Sequence, residues 1–135
     1  MDRATIETLI DQSYAARKVG DIEKLMSFFH PDAVFELAGS KELVAAARAA
    51  KGHQEVRTAM RDLIAVFVFI EREFISRLID GERAAVHSRV KIKYVPKDRT
   101  FTTDLIDAFR FKDGKIVELV EFADTALIND LMSAG

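Results

Sequence analysis

The sequence predicts an α+β fold in which helices come first and an antiparallel meander follows. Apolar residues recur at helical spacing through residues 5–18, 21–29 and 53–66. From residue 69 onward the period falls from about 3.6 to 2, the mark of a change from helix to sheet. The strand-like runs are joined at Asp80-Gly81 and Asp113-Gly114, pairs suited to tight hairpins because both central turn positions can take positive φ. Helices followed by a meander place the helices on one face of the sheet.

Each element has its own signal. Ile6, Leu9, Ile10, Ser13 and Tyr14 form the stripe of a first helix, and Gly20 suits its end. Asp21 caps a second helix with Ile22, Leu25, Met26 and Phe29 turned inward, and His30-Pro31-Asp32 stops it. Residues 33–37 then read as a short strand, and Gly39-Ser40 opens a loop. Residues 42–50 (ELVAAARAA) have high helix propensity and predict an additional helical segment. Gly52 precedes a longer helix with Val56, Met60, Leu63, Ile64 and Phe67 on one side. Strands are expected over 69–79 and 83–95, with Pro96 blocking simple continuation. A hairpin spans 101–124, and residues 125–132 close the chain as a short helix. Large groups such as Phe74 and Tyr94 are expected on the outer sheet face, where they favour a homodimer through the sheet.

Composition narrows the function classes. At 135 residues the chain fits a single domain, 1–135, with one substantial core. A formal charge of -2 offers no broad attraction to nucleic acid or to an anionic membrane. The absence of cysteine removes disulfides, thiolate nucleophiles and cysteine metal sites. Three scattered histidines make no zinc motif, so no metal and no cofactor are expected. The start, MDRATIETLIDQ, lacks a signal peptide's basic-then-apolar layout, and the apolar run 63–70 is too short to span a bilayer. The expected compartment is the cytoplasm.

The anomaly lies in the last hairpin. Phe101, Thr103, Leu105, Asp107, Phe109 and Phe111 share one face of the first strand, and Val117, Leu119 and Glu121 share a face of the second. Each strand thus places one carboxylate in a mostly apolar row. Such a group either points into a cavity or requires a buried partner.

The order and spacing of Gly20-Asp21, His30-Pro31-Asp32-Ala33-Val34-Phe35, Gly52 and the last hairpin resemble the nuclear transport factor 2-like superfamily, especially its SnoaL-like and ketosteroid-isomerase-like members. The resemblance implies a cone-shaped domain, with a strongly curved mixed sheet covered by N-terminal helices around a pocket, and commonly a homodimer. The segment 106–111 resembles the ketosteroid isomerase stretch that carries a protonated oxyanion-hole aspartic acid, which would be Asp107. Such an acid works only where an apolar setting keeps it neutral. The same alignment puts Ser13 at the oxyanion-hole tyrosine, with Tyr14 about 100° further round the helix, and Leu37 at the general base. The resemblance therefore does not imply steroid isomerisation by that arrangement. Compared with limonene-epoxide hydrolase, the Asp-Arg-Asp group falls on Lys91, Arg89 and Glu121, and Lys91 reverses one charge. Polyketide-cyclase-like members need chiefly one acid-base carboxylate and a shaped apolar pocket.

These readings converge on a small apolar, oxygen-bearing molecule and on acid-base chemistry of the isomerisation, cyclisation or hydration kind. The competing reading is a non-catalytic dimeric binding or interaction module. Asp107 and Glu121 are the candidate proton-transfer groups, with His87 assisting. Arg89, Lys91, Tyr14, Leu105, Phe109 and Leu119 are the candidate ligand contacts. His87, Arg89 and Lys91 share a strand face, and Arg89 or Lys91 is expected to approach the carboxylates from the neighbouring strand.

Overall fold

The computed structural model describes residues 1–40 and 48–133. Helix α1 (Arg3–Val19) is capped by Asp2, whose side chain accepts from the Thr5 amide at 2.8 Å, and ends on Gly20 at φ 74°. Asp21 caps α2 (Ile22–Ser27) in the same way. Strand β1 (Phe29–Leu37) follows at once, then β2 (Arg48–Lys51) and α3 (His53–Val66). The meander consists of β3 (Phe67–Asp80), β4 (Arg83–Tyr94), β5 (Arg99–Lys112) and β6 (Lys115–Phe122), and α4 (Thr125–Met132) closes it. Asp113 and Gly114, at φ 54° and 75°, make the tight turn that the Asp-Gly pair predicts.

The six strands lie in the order β2-β1-β6-β5-β4-β3. All pairings are antiparallel except β1 with β6, so the sheet is mixed. It is open: β2 and β3 form separate edges and do not pair with each other. The expectation of a strongly curved, cone-shaped sheet around a pocket is therefore corrected. Side chains fill most of the space between sheet and helices, with Ile6 and Ile10 of α1 and Val56 and Met60 of α3 packed against Phe35, Phe111 and Ile116.

Three local expectations also change. Phe29 is the first residue of β1 rather than the last inward residue of a helix, and β1 runs through Pro31. The β1–β6 register slips between Phe29 and Val34, which accommodates a residue that cannot donate to the ladder. Of the expected 42–50 helix, Arg48–Lys51 is strand β2, and the remainder lies outside the described residues. Tyr94 is buried against Phe67, and Phe74 packs on Tyr14 of α1, so neither belongs to the outer face. The reason for Phe74 is a bulge. The β3–β4 register skips a residue between Phe69 and Glu71, which puts Arg72 and Phe74 on the helix side with Phe69. Among the described residues, no helix is long and apolar enough to cross a membrane.

Candidate functional site

Asp107 of β5 and Glu121 of β6 stand directly opposite each other, on the face that α1 covers. Their exposures are 0% and 5%, so both carboxyls sit almost wholly out of water. Helix α1 supplies the partners. Tyr14 and Arg17 are three residues apart, on one side of the helix. The Tyr14 hydroxyl donates to Asp107 Oδ2 at 2.5 Å. Arg17 grips Glu121 with two donors, Nη1 to Oε2 at 2.7 Å and Nη2 to Oε1 at 3.3 Å. From β3, the Arg72 guanidinium lies 4.1 Å over the Tyr14 ring. Phe109 meets that ring edge-on at 6.0 Å.

These surroundings drive the two acids apart. Burial raises the Asp107 carboxyl well above the usual carboxylate range, and the neighbouring Glu121 charge pushes it further. Burial acts on Glu121 as well, but there the Arg17 charge and its hydrogen bonds outweigh it and hold the carboxyl below its usual range. The pair therefore consists of a neutral acid beside a carboxylate. Tyr14 stays a phenol, because burial and the Asp107 carboxyl both raise its pKa. Asp107 Oδ1 and Arg17 Nε have no hydrogen-bond partner among the described residues.

Space lies on either side of this group. An inner cavity of about 40 Å³ is walled by Phe67, Phe69, Ile92, Leu105 and Leu127, with Arg17 and Glu121 in its lining. Its volume is no more than that of a few water molecules. On the outer side, a groove of about 230 Å³ runs between α1 and β3, past Tyr14 and Arg72. Arg17 and Phe69 line both spaces.

The structure thus brings Asp107, Glu121 and Tyr14 together and seats Leu105 at the inner cavity. Phe109 and Leu119 pack beneath Tyr14 in the core. It does not bring His87, Arg89 or Lys91 to the carboxylates. Val86, Ser88 and Val90 take the inward positions of β4, so the alternate residues face away. There, His87 Nε2 and Arg89 Nε meet Asp104 at 2.9 and 3.0 Å. Lys91 stands opposite Glu71 and Thr102 on the same outer face. Consequently the Lys91, Arg89 and Glu121 set of the epoxide-hydrolase comparison is not assembled. Ser13, the residue aligned with the oxyanion-hole tyrosine, bonds the Ile10 carbonyl, and it is Tyr14 that reaches Asp107.

The cations that do reach the site are Arg17 and Arg72, and neither is among the candidates drawn from sequence. Arg17 carried a usable signal, since it continues the inward stripe of Ile6, Ile10 and Tyr14. Arg72 carried none, because strand parity from Phe69 turns it outward and only the bulge reverses that. Among the described residues, no group of three or more His, Cys, Asp or Glu is placed to hold a metal ion.

Solved structures share the whole architecture. A crystal structure of an NTF2-like protein of unknown function from Burkholderia pseudomallei is 21% identical, with 99% of this chain and 100% of that one covered, at a TM-score of 0.82. A putative isomerase from Rhodopseudomonas palustris is 15% identical over 98% of each chain, at 0.81. An LEH-like epoxide hydrolase from M. tuberculosis is 15% identical over 91% of this chain and 85% of that one, at 0.71. At such identities the likeness establishes the fold, which isomerases and hydrolases both use. No curated protein sequence matches the chain. The family described as SnoaL-like domain matches residues 10–119, a stretch that includes Tyr14, Arg17, Arg72 and Asp107 and stops just short of Glu121. The chain belongs to the SnoaL-like domain family, and its fold is that of an NTF2-like protein.

Proposed function

We propose that this protein binds a small apolar molecule bearing a carbonyl or similar oxygen and performs cofactor-independent acid-base chemistry on it, of the isomerisation, cyclisation or hydration class. The observation that carries the reading is the split carboxyl pair, with Asp107 neutral and Glu121 ionised at the wall of an apolar cavity. Two titratable groups driven apart by their surroundings provide an acid and a base at one pH.

In this reading Glu121 accepts a proton from the ligand. The free Arg17 Nε–H donates to the oxygen on which negative charge develops. Asp107, held in orientation by Tyr14, stands opposite Glu121 and feels its change of charge electrostatically. A ligand of several heavy atoms needs more than the existing 40 Å³, so the Leu127 and Phe101 side chains at the cavity wall yield on binding. Two copies pair through the outer sheet face, a reading supported by Ile106 and Phe122, which stand opposite each other and are 44% and 50% exposed.

Ligand-observed NMR against a panel of neutral ketones, lactones and epoxides tests binding, and turnover of the binders tests chemistry. Glu121→Gln is expected to lower turnover by about 10²-fold or more, while Asp107→Asn retains binding and alters the pH profile. Undiminished turnover in both variants removes the pair from the reaction.

A further inference from the structure

Among the described residues, Arg72 stands near two acids but pairs directly with neither. Arg17 is spent on Glu121, and Asp107 is neutral. Among the described residues, no carboxylate forms an ion pair or hydrogen bond with Arg72, and its Nη1 is buried without any hydrogen-bond partner. A guanidinium removed from water with a donor unused is costly unless something else supplies the acceptor. Its other neighbours are ring faces: Tyr14 at 4.1 Å, Phe69 at 5.0 Å and Phe74 at 6.0 Å. These hold the planar group in place by cation–π attraction but accept no conventional hydrogen bond.

The same residues edge the groove between α1 and β3, about 230 Å³ in volume. Of its flanking acids, Asp11 pairs with Arg77, and Glu71 stands across the strands from Lys91. Lys18 adds a further cation at the rim. The groove thus offers a planar fork of donors, aromatic walls and a local excess of positive charge.

We propose that this groove is a binding site for an organic monocarboxylate with a flat apolar or aromatic body, its carboxylate accepting from the Arg72 guanidinium and its body lying against Tyr14, Phe69 and Phe74. A carboxylate matches the guanidinium fork with two parallel hydrogen bonds. Inorganic phosphate would leave the aromatic walls uncovered. The site goes beyond the acid-base reading of the inner cavity, since binding in the groove requires no turnover.

The test titrates the full chain with benzoate, benzamide and inorganic phosphate, using calorimetry and amide chemical shifts. Benzoate is expected to bind, to shift the amides of Ala15, Lys18 and Arg72, and to outbind benzamide and phosphate by about ten-fold or more. Arg72→Met should weaken benzoate by a similar factor, and Arg72→Lys should restore part of it. Absence of benzoate binding, equal binding of benzamide, or unchanged binding by Arg72→Met would each overturn the site. If Arg72→Met does not fold, the comparison of benzoate with benzamide on the unaltered protein, mapped by the same amides, decides the matter. Failure of neutral carbonyl compounds to enter the inner cavity leaves these readouts unaffected, so the two proposals fall separately.

Discussion

At the scale of single residues, the two carboxyls make opposite contributions to stability. Asp107 has an ordinary pKa of 3.8 and a raised one in the fold, so above about pH 4 the unfolded chain releases a proton that the native state keeps. Stability from this group is therefore greatest below its unfolded pKa and declines as pH rises towards the folded value. Glu121 runs the other way. Its folded pKa lies below the ordinary 4.5, so its contribution is complete above that pH and is lost as pH falls through the folded value. Asp107→Asn replaces a group that is already neutral. It should leave the protein at least as stable at pH 7 and flatten the decline above about pH 4, which urea midpoints across that range would reveal. Glu121→Gln strands Arg17 in a buried place and should cost about 3–5 kcal/mol. The double variant Arg17→Met/Glu121→Leu should recover much of that loss, because the pair is then replaced by packed apolar groups. Sequence pointed to both acids, since a carboxylate in an apolar strand row is conspicuous. It could not reveal which would stay neutral, because that depends on an arginine 104 residues away in the chain.

At the scale of elements, periodicity located the helices and most of the strands, and the Asp113-Gly114 turn fell where expected, while at the other hairpin Asp80 ends β3 and Gly81-Glu82 make the turn. Where it failed, the cause was a change of register. One skipped position in β3 reverses which side chains face α1, so Arg72 and Phe74 move to the helix side with no trace in a period-2 pattern. High helix propensity around residues 42–50 likewise gave way at Arg48–Lys51, where edge pairing with β1 takes over. Helix α4 falls where expected, and Asp124 caps it, accepting from the Leu127 amide at 3.1 Å. This helix walls the inner cavity through Leu127 and Ile128. Asp124→Ala should lower stability by about 1 kcal/mol, and hydrogen exchange should show residues 125–128 losing protection ahead of the sheet.

For the molecule as a whole, the α+β class was legible in the pattern and the mixed sheet only through the family resemblance, whereas openness was not, since no local pattern states whether distant edges meet. The outer sheet face bears an apolar patch at Ile106 and Phe122, beside the ionic cluster of His87, Arg89 and Asp104. If two copies pair there, sedimentation should give a dimer, and Ile106→Lys should shift it to monomer with little change in unfolding midpoint. The parallel pairing of β1 with β6 has a different consequence, one for biosynthesis. A nascent chain leaving the ribosome presents β1 long before β6 exists, so one side of that early strand stays bare until residues 115–122 have been translated. The contacts from Tyr14 to Asp107 and from Arg17 to Glu121 wait for the last hairpin as well. Assembly is thereby deferred until β6 emerges, and the interval before it is when the chain most needs protection from its neighbours.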